Sequence, residues 1–292
     1  MSPTVITTPR VLDGKWVREQ ILAEQRPRIA NLAAKHRPPG LAVILVGHDP
    51  ASEIYVRGKI KACAELGIYS EKITPPETIS TGGLLGIIEG LNQRSEIDGI
   101  LVQMPLPKQV DSRRILSSVR PDKDVDGFHP VNIGSLAANI PAPRACTPAG
   151  IMELLRLYQI PIVGQKAVVV GRSNIVGKPM ALMLLHQNAT VTICHSKTVD
   201  LPGECRRADI LVTAIGRPNF VTRDFIRPGA VVIDVGQNRG ADGKGLFGDV
   251  DAAAALELAS AYTPVPGGVG PLTIGMLMAN TVQAAEQHLC SA

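Results

Sequence analysis

Aromatic residues are scarce in this chain. They make up 3% of its 292 residues, with a single Trp, four Tyr and four Phe. Its cores must therefore be aliphatic, as in parallel α/β sheets buried on both faces. Stacking platforms for bases are missing too, and the basic residues are scattered rather than gathered in a stripe. Both absences argue against a nucleic-acid partner. A net charge of +4 and a pI near 8.8 are a weak bias, more easily explained by an anionic small substrate. No apolar run approaches the roughly 20 residues of a membrane helix. The cysteines, Cys63, Cys146, Cys194, Cys205 and Cys290, are odd in number and form no C-x-x-C pair. That pattern speaks against a metal centre and for reduced thiols, hence for a cytoplasmic protein. The first ten residues have neither a charged start nor an apolar stretch, so no secretory signal is expected. Hydrophobic residues at 45% and charged residues at 19% exclude disorder, and the length suggests about two domains.

The chain is organised around Val168-Val-Val-Gly-Arg-Ser-Asn-Ile-Val-Gly-Lys-Pro179. Ala167 to Val170 reads as a buried parallel strand. Gly171 ends it, and Pro179 suits the first turn of a helix that continues through Met180 to Leu185. Strand, glycine turn and helix together expose backbone N–H groups at a helix N-terminus, a ready site for the phosphate of a nucleotide. The dinucleotide fingerprint wants glycines at its first, third and sixth positions. Here Ser173 holds the third, and Gly177 comes one residue late. A plain strand-to-helix turn that binds nothing would look similar. The next strand, Thr190 to Cys194, adds discrimination. Its end lacks the acid that would bind a ribose 2′-hydroxyl, and carries Ser196 and Lys197 instead, with Arg172 in the first turn. That set suits a 2′-phosphate and favours NADP over NAD.

The first half of the chain repeats strand and helix. A helix is expected from Asp13, kinked or interrupted at Pro27, followed by a strand over Leu41 to Val46 and a helix over Ser52 to Leu66 with Val56, Ile60, Cys63 and Ala64 toward the core. Ser52, Tyr55 and Lys59 form a second stripe near the edge of that face, on a helix that starts where open α/β sheets place ligands. A solvated polar edge is the plainer account of the stripe. It weakens because a further strand, Gly99 to Gln103, delivers Gln103 to the same rim, ahead of Met104-Pro-Leu-Pro107. An amide there would orient a neighbouring lysine, or merely cap a loop. Pro121-Asp-Lys-Asp-Val-Asp-Gly127 presents three acids, Asp126 on a tight turn before Gly127. Its spacing does not fit an EF-hand, and a solvated acidic loop is the plain alternative. Pro141 to Pro148 reads as a linker into a helix over Ala149 to Tyr158. Strand-to-glycine units follow at Asp209 to Gly216 and Pro228 to Gly236. Tyr262 to Pro271 reads as a rigid Gly/Pro loop that would let a flat ligand approach the backbone, and the last helix as Thr273 to Leu289. The fold class is α/β with two domains: an N-terminal, mostly parallel α/β sheet domain over 1–145, onto which a last helix at 274–292 packs back, and a C-terminal Rossmann-like domain over 146–273, with a cleft between them.

Seven collinear motifs then point one way. They are Tyr55-Val-Arg-Gly-Lys59, Gly99-Ile-Leu-Val-Gln-Met-Pro-Leu-Pro107, Lys123-Asp-Val-Asp-Gly127, Cys146-Thr-Pro148, Gly171-Arg-Ser-Asn-Ile-Val-Gly177, Cys194-His-Ser-Lys197 and Thr263-Pro-Val-Pro-Gly-Gly-Val-Gly-Pro271. From about Asp13 to Leu289 the chain resembles the bifunctional methylenetetrahydrofolate dehydrogenase / methenyltetrahydrofolate cyclohydrolase family. The resemblance implies NADP-dependent oxidation of 5,10-methylenetetrahydrofolate, hydrolysis of the methenyl product to 10-formyltetrahydrofolate, and a homodimer. It implies catalytic roles for Lys59, Tyr55, Gln103 and Asp126, with Ser52, Pro264, Gly267 and Gly268 also at the folate. It places NADP on Gly171, Arg172, Ser173, Ile175, Gly177, Ser196, Ala214, Gly216, Gln237 and Thr273. Two positions depart from the family pattern: Gln237, where an apolar residue is common near the nicotinamide, and Ala145, where a proline usually precedes Cys-Thr-Pro. The rival readings are a dehydrogenase-only member, a two-domain NADP oxidoreductase of the shikimate-dehydrogenase type, and a non-catalytic nucleotide-binding module.

Overall fold

The computed structural model describes residues 8–240 and 245–290. In chain order these form β1 (Arg10–Val11), α1 (Gly14–Lys35), β2 (Gly40–Ile44), α2 (Pro50–Leu66), β3 (Tyr69–Ile73), α3 (Thr81–Gln93), β4 (Gly99–Val102), α4 (Ser112–Leu116), α5 (Pro130–Ala137) and α6 (Cys146–Leu157). There follow β5 (Lys166–Val170), α7 (Gly177–His186), β6 (Thr190–Cys194), α8 (Leu201–Cys205), β7 (Ile210–Thr213), β8 (Val231–Asp234), β9 (Asn238–Arg239), β10 (Leu246–Phe247), α9 (Ala252–Leu258), β11 (Ala261–Tyr262) and α10 (Val269–Cys290). They divide into two compact units, one of residues 19–146 with 274–292, the other of residues 147–273 with the segment up to Arg18. The sequence reading counts everything before 146 together. Arg10 to Arg18 groups with the second unit because β1 extends that unit's sheet, Arg10 pairing with Ala261.

The first unit is built on a parallel sheet of order β3-β2-β4. β2 is buried along its whole length, so its two faces fill two cores. Leu41, Val43 and Leu45 pack with α1, α2 and α10 residues such as Leu22, Val56 and Leu277. Ala42, Ile44 and Val46 pack with Leu84, Ile88 and Ile115 of α3 and α4. This is the period-2 alternation of a strand written entirely in apolar residues. Asp49 caps α2, accepting the Ser52 N–H at 2.8 Å, Pro50 opens it, and Gly67 closes it at φ +77°. Ala62 is buried on α2 where Ala64 was expected, and Ala64 is exposed. Helix α1 runs unbroken through Pro27. Burying Ile21, Leu22, Ile29 and Leu32 on either side is worth about 1.5–3 kcal/mol each, against about 3 kcal/mol for an internal proline.

The second unit carries a parallel sheet of order β1-β11-β8-β7-β5-β6. The chain leaves β5 for β6 on one side and returns to β7 on the other. The carboxyl ends of β5 and β7 thus flank the switch point where such sheets bind ligands. In the first unit, β2 with β3 and β4 on either side makes the same switch between β2 and β4. Helices α6 and α10 begin earlier than the Ala149 and Thr273 starts read from sequence. Pro148 and Pro271 fall in their first turns, where a missing N–H costs nothing.

Candidate active site

Both switch points gather the residues that the motifs singled out. In the first unit, α2 leaves the end of β2 with Ser52, Tyr55 and Lys59 along one stripe. Ser52 and Lys59 are buried, and Tyr55 is 42% exposed. Lys59 Nζ donates to Gln103 Oε1 at 3.0 Å. Gln103 stands just past β4, its Nε2 donating to the Met104 carbonyl at 2.7 Å. Tying the amide nitrogen to a carbonyl leaves only the amide oxygen for Lys59, which fixes the polarity of the pair. Lys59 and Gln103, read separately from a helix and a strand end, therefore meet.

The three acids of the 121–127 turn take separate jobs. Asp122 accepts from Arg120 and lies 3.2 Å from His288 Nε2. Asp124 is buried and accepts the His129 N–H at 2.7 Å and Asn132 Nδ2 at 2.8 Å, which pins the start of α5. Burial raises its carboxyl. Asp126 lies close enough to Lys59 to feel its charge. Burial pushes its carboxyl up to about 6; the Lys59 charge opposes that rise and Asp124 adds to it. Gly127 follows at φ +72°, and a Cβ there would lie 2.4 Å from the Arg144 carbonyl carbon. Only glycine allows this turn. Two further residues hold it, and sequence reading missed both roles. Asn280 on α10 donates to the carbonyls of Val125 and Arg144. The Cys146 thiol donates to Val125 O at 3.3 Å, and burial, aided by the Asp126 charge, raises it well above the ordinary thiol range.

In the second unit, Gly171 has φ +131°, and a Cβ on it would sit 2.4 Å from the Ala214 carbonyl oxygen. A Cβ on Gly177 would sit 2.2 Å from Gly171 O. The two strand ends and the start of α7 are therefore packed backbone to backbone. Ser173 replaces a fingerprint glycine for a visible reason. Its Oγ accepts the N–H groups of Val176 at 3.1 Å and Gly177 at 3.3 Å, capping the turn. Among the described residues, the amides of 172–175 donate to no protein oxygen. Beside them lies a cavity of about 280 Å³ lined by Gly171, Arg172, His195, Ser196, Ala214, Arg217 and Phe220, among others. A glycine cradle, open amides at a helix start and a guanidinium-lined cavity fit NADP, whose phosphates need donors and positive charge.

The remaining candidates lie elsewhere. Ile175 is 44% exposed, and Lys197 does not line the cavity. Gly216 donates its N–H to Asp249, a buried acid that also holds the amides of Ile215 and Arg217. Gln237 lies against Gly270, where an added Cβ would meet its Nε2 at 2.4 Å. Thr273 Oγ1 is 2.9 Å from Thr147 Oγ1. In the Gly/Pro loop, Gly268 donates to Pro264 O at 2.7 Å, and Gly267 has φ +110°. A Cβ on Gly14 would lie 1.6 Å from Gly268 O, so α1 begins directly on this loop. Glycine here serves backbone contact within the protein. Arg217 and Asp249 were not picked out from sequence. Arg217 carried a usable signal, since it follows the Gly216 turn at the end of β7.

Comparison with known proteins identifies the family of the chain. Residues 12–126 match the family model for the tetrahydrofolate dehydrogenase/cyclohydrolase catalytic domain. Residues 145–289 match the model for its NAD(P)-binding domain. A relative from Solibacter usitatus, named bifunctional protein FolD, is 65% identical over 96% of this chain and 98% of its own length. The crystal structure of the bifunctional FolD enzyme from Campylobacter jejuni, at 46% identity, superposes with a TM-score of 0.92 and covers 95% of this chain and 98% of that one. The Trypanosoma brucei dehydrogenase-cyclohydrolase, solved with NADP and an inhibitor, is 37% identical with a TM-score of 0.92, covering 97% and 99%. A shikimate dehydrogenase from Peptoclostridium difficile, at 14% identity and a TM-score of 0.50, shares the fold alone. The chain belongs to the tetrahydrofolate dehydrogenase/cyclohydrolase family.

Proposed function

We propose that this chain oxidises 5,10-methylenetetrahydrofolate with NADP and hydrolyses the resulting 5,10-methenyltetrahydrofolate to 10-formyltetrahydrofolate. The observation that carries the hydrolysis is the Lys59–Gln103 hydrogen bond, and the glycine turn with its arginine-lined cavity supports the NADP-dependent oxidation. The first unit is the folate side of the enzyme, and the second unit is the NADP side.

When bound, NADP supplies the hydride acceptor. The folate nitrogens delocalise the cation left behind, so oxidation needs no protein base. The protein's work in that step is to hold the reactants in register, which is proximity catalysis. Hydrolysis differs. Water adds to the methenyl carbon and must lose a proton, and a ring nitrogen must then depart. Lys59 is the base. In the step its amine gives one N–H to Gln103 and its lone pair to the water proton. Gln103 positions it, because its amide oxygen faces Lys59 while its nitrogen is tied to Met104. Asp126, when ionised, accepts two parallel N–H bonds from the pterin. Tyr55 offers an exposed ring to the folate body. Gly171, Arg172, Ser173, Ser196 and Ala214 hold NADP, with Gly177 closing the turn and Ile175, Gly216, Gln237 and Thr273 around it. Pro264, Gly267 and Gly268 contribute to the folate side.

The protein is further read as a cytoplasmic homodimer acting on a free folate. No described helix is long and apolar enough to cross a membrane. Among the described residues β6 is an edge strand with one neighbour, and Ile193 on it is 44% exposed. Such an edge is suited to pairing with a second copy. Sedimentation should give a dimer that Ile193→Lys weakens.

The function is tested by following a progress curve with 5,10-methylenetetrahydrofolate and NADP. NADPH should form with 10-formyltetrahydrofolate as product and little methenyl build-up. Methenyl accumulating beyond its spontaneous hydrolysis would reduce the protein to a dehydrogenase.

A further inference from the structure

The pocket at the carboxyl ends of β5 and β7 holds a cation that the sequence reading did not assign to it, Arg217, in place of Lys197. Arg172 reaches it from the turn after β5, and Arg217 from the turn after β7. His195 and Ser196, past the end of β6, complete the rim. No Asp or Glu lines the cavity. The one acid that touches the Arg217 turn, Asp249, is fully buried and occupied by backbone. Its Oδ2 accepts from Ile215 N at 2.7 Å and Gly216 N at 3.2 Å, and its Oδ1 from Arg217 N at 2.9 Å and Asn238 Nδ2 at 2.9 Å. Asp249 therefore fixes the turn without forming an ion pair with the guanidinium. Arg217 Cζ lies 4.1 Å from the centroid of the Phe220 ring. The head group is held in place by an aromatic face below and a pinned backbone behind. Neither Arg172 nor Arg217 has an ion-pair partner among the described residues.

We propose that Arg217 is a second specificity-determining residue for the 2′-phosphate of NADP, sharing that group with Arg172 in one pocket. The inference rests on the NADP reading above and deepens it. A phosphate monoester carries between one and two negative charges near neutral pH, so one guanidinium leaves it under-neutralised, and two guanidiniums with the Ser196 hydroxyl match it. A 2′-hydroxyl gives back nothing for the mutual repulsion of two cations in an acid-free pocket. The preference against NAD is thus built from both arginines. Arg217 is exposed and its backbone is held by Asp249, so truncating its side chain leaves the turn intact.

The test is calorimetric titration of 2′,5′-ADP and of 5′-AMP into the wild-type protein and into Arg172→Ala, Arg217→Ala and Arg217→Lys, with circular dichroism to confirm folding. The wild type should bind 2′,5′-ADP more tightly than 5′-AMP. Arg217→Ala should lose about ten-fold in 2′,5′-ADP affinity, the scale of one charge-assisted contact, and hold its 5′-AMP affinity. Arg217→Lys should recover part of the loss. Unchanged 2′,5′-ADP binding in Arg217→Ala overturns the proposal. An equal fall for both ligands also overturns it, since Arg217 would then be a wall for the adenosine. A wild type that does not distinguish the two ligands fails differently: it removes the NADP reading itself.

Discussion

Asn280 Nδ2 donates to Val125 O at 2.8 Å and to Arg144 O at 2.9 Å, and lies 3.6 Å from Cys146 Sγ. One amide on α10 thus joins the turn that carries Asp126 to the segment that enters α6. Residue 280 is buried, so a leucine there would leave both carbonyls without that donor. The Cys146 thiol still reaches Val125 O, which limits the loss. Asn280→Leu should cost about 2–4 kcal/mol of stability and should raise the KM for folate by loosening Asp126. The KM for NADP should stay the same. Urea unfolding and the two KM values check this. A fall in NADP affinity alone would place the effect of Asn280 outside the Asp126 turn.

With Asp126 as the acceptor for the pterin, folate binding should depend on pH. Its carboxyl sits at about 6 because burial outweighs the Lys59 charge. The pterin N–H groups need the ionised form, so the folate KM should rise as pH falls through about 6. Stability follows the opposite sense. A carboxyl raised from 3.8 to about 6 binds its proton more tightly in the folded state. It leaves stability untouched below the unfolded value, erodes it between the two values, and costs the full amount above the folded one. The cost is on the order of 1–2 kcal/mol once partial exposure is allowed for. Asp126→Asn should therefore unfold at higher urea than wild type at pH near 7.5 and lose that advantage near pH 4, while its folate KM rises at least ~10-fold. An Asn variant less stable than wild type at neutral pH would show that Asp126 is not strained by burial.

Lys59 and Gln103 could be read before the fold was known, because each sits at a position that local pattern defines: a helix stripe leaving one strand, and the last polar residue of another. The Gly171 turn could be read for the same reason, as an apolar run stopped by glycine. Asn280, Asp249 and Arg217 escaped. Asn280 acts on a residue 155 positions away, and Asp249 on amides 32 to 34 positions away. Neither separation leaves a period in the sequence. Pro27 misled for the opposite reason. The local rule was sound, but the burial of Leu22, Ile29 and Leu32 in one core outweighed it. Ser173 looked like a defect in a glycine fingerprint, yet it is the cap that the turn uses.

The division of labour at Lys59 predicts separable activities. Lys59→Met keeps the length and apolar stem and removes the amine. Hydrolysis of the methenyl cation should fall by at least ~100-fold, the scale of a general base, while hydride transfer survives in part because it needs no proton transfer. Gln103→Met should give a milder version, since it leaves the amine but frees its orientation. The two steps are read separately, from methenyl absorbance and NADPH. Equal survival of both activities in Lys59→Met would remove the base assignment.

Gln237 packs against Gly270 in the first turn of α10. A Cβ on Gly270 would meet Gln237 Nε2 at 2.4 Å, closer than any real contact. The collision is with the far end of a flexible side chain, so Gly270→Ala should be tolerated only as Gln237 swings away from its present place. Alone, the substitution should cost about 1–2 kcal/mol as an overpacked contact. In the Gln237→Ala background the obstructing amide is gone, and the added methyl should gain helix propensity of up to ~1 kcal/mol, since Gly270 lies in the first turn of α10. The double-mutant cycle should therefore show a coupling energy of roughly 1–2 kcal/mol. Additive effects would mean that the two side-chain positions are independent, and that Gln237 is held by contacts other than the Gly270 backbone.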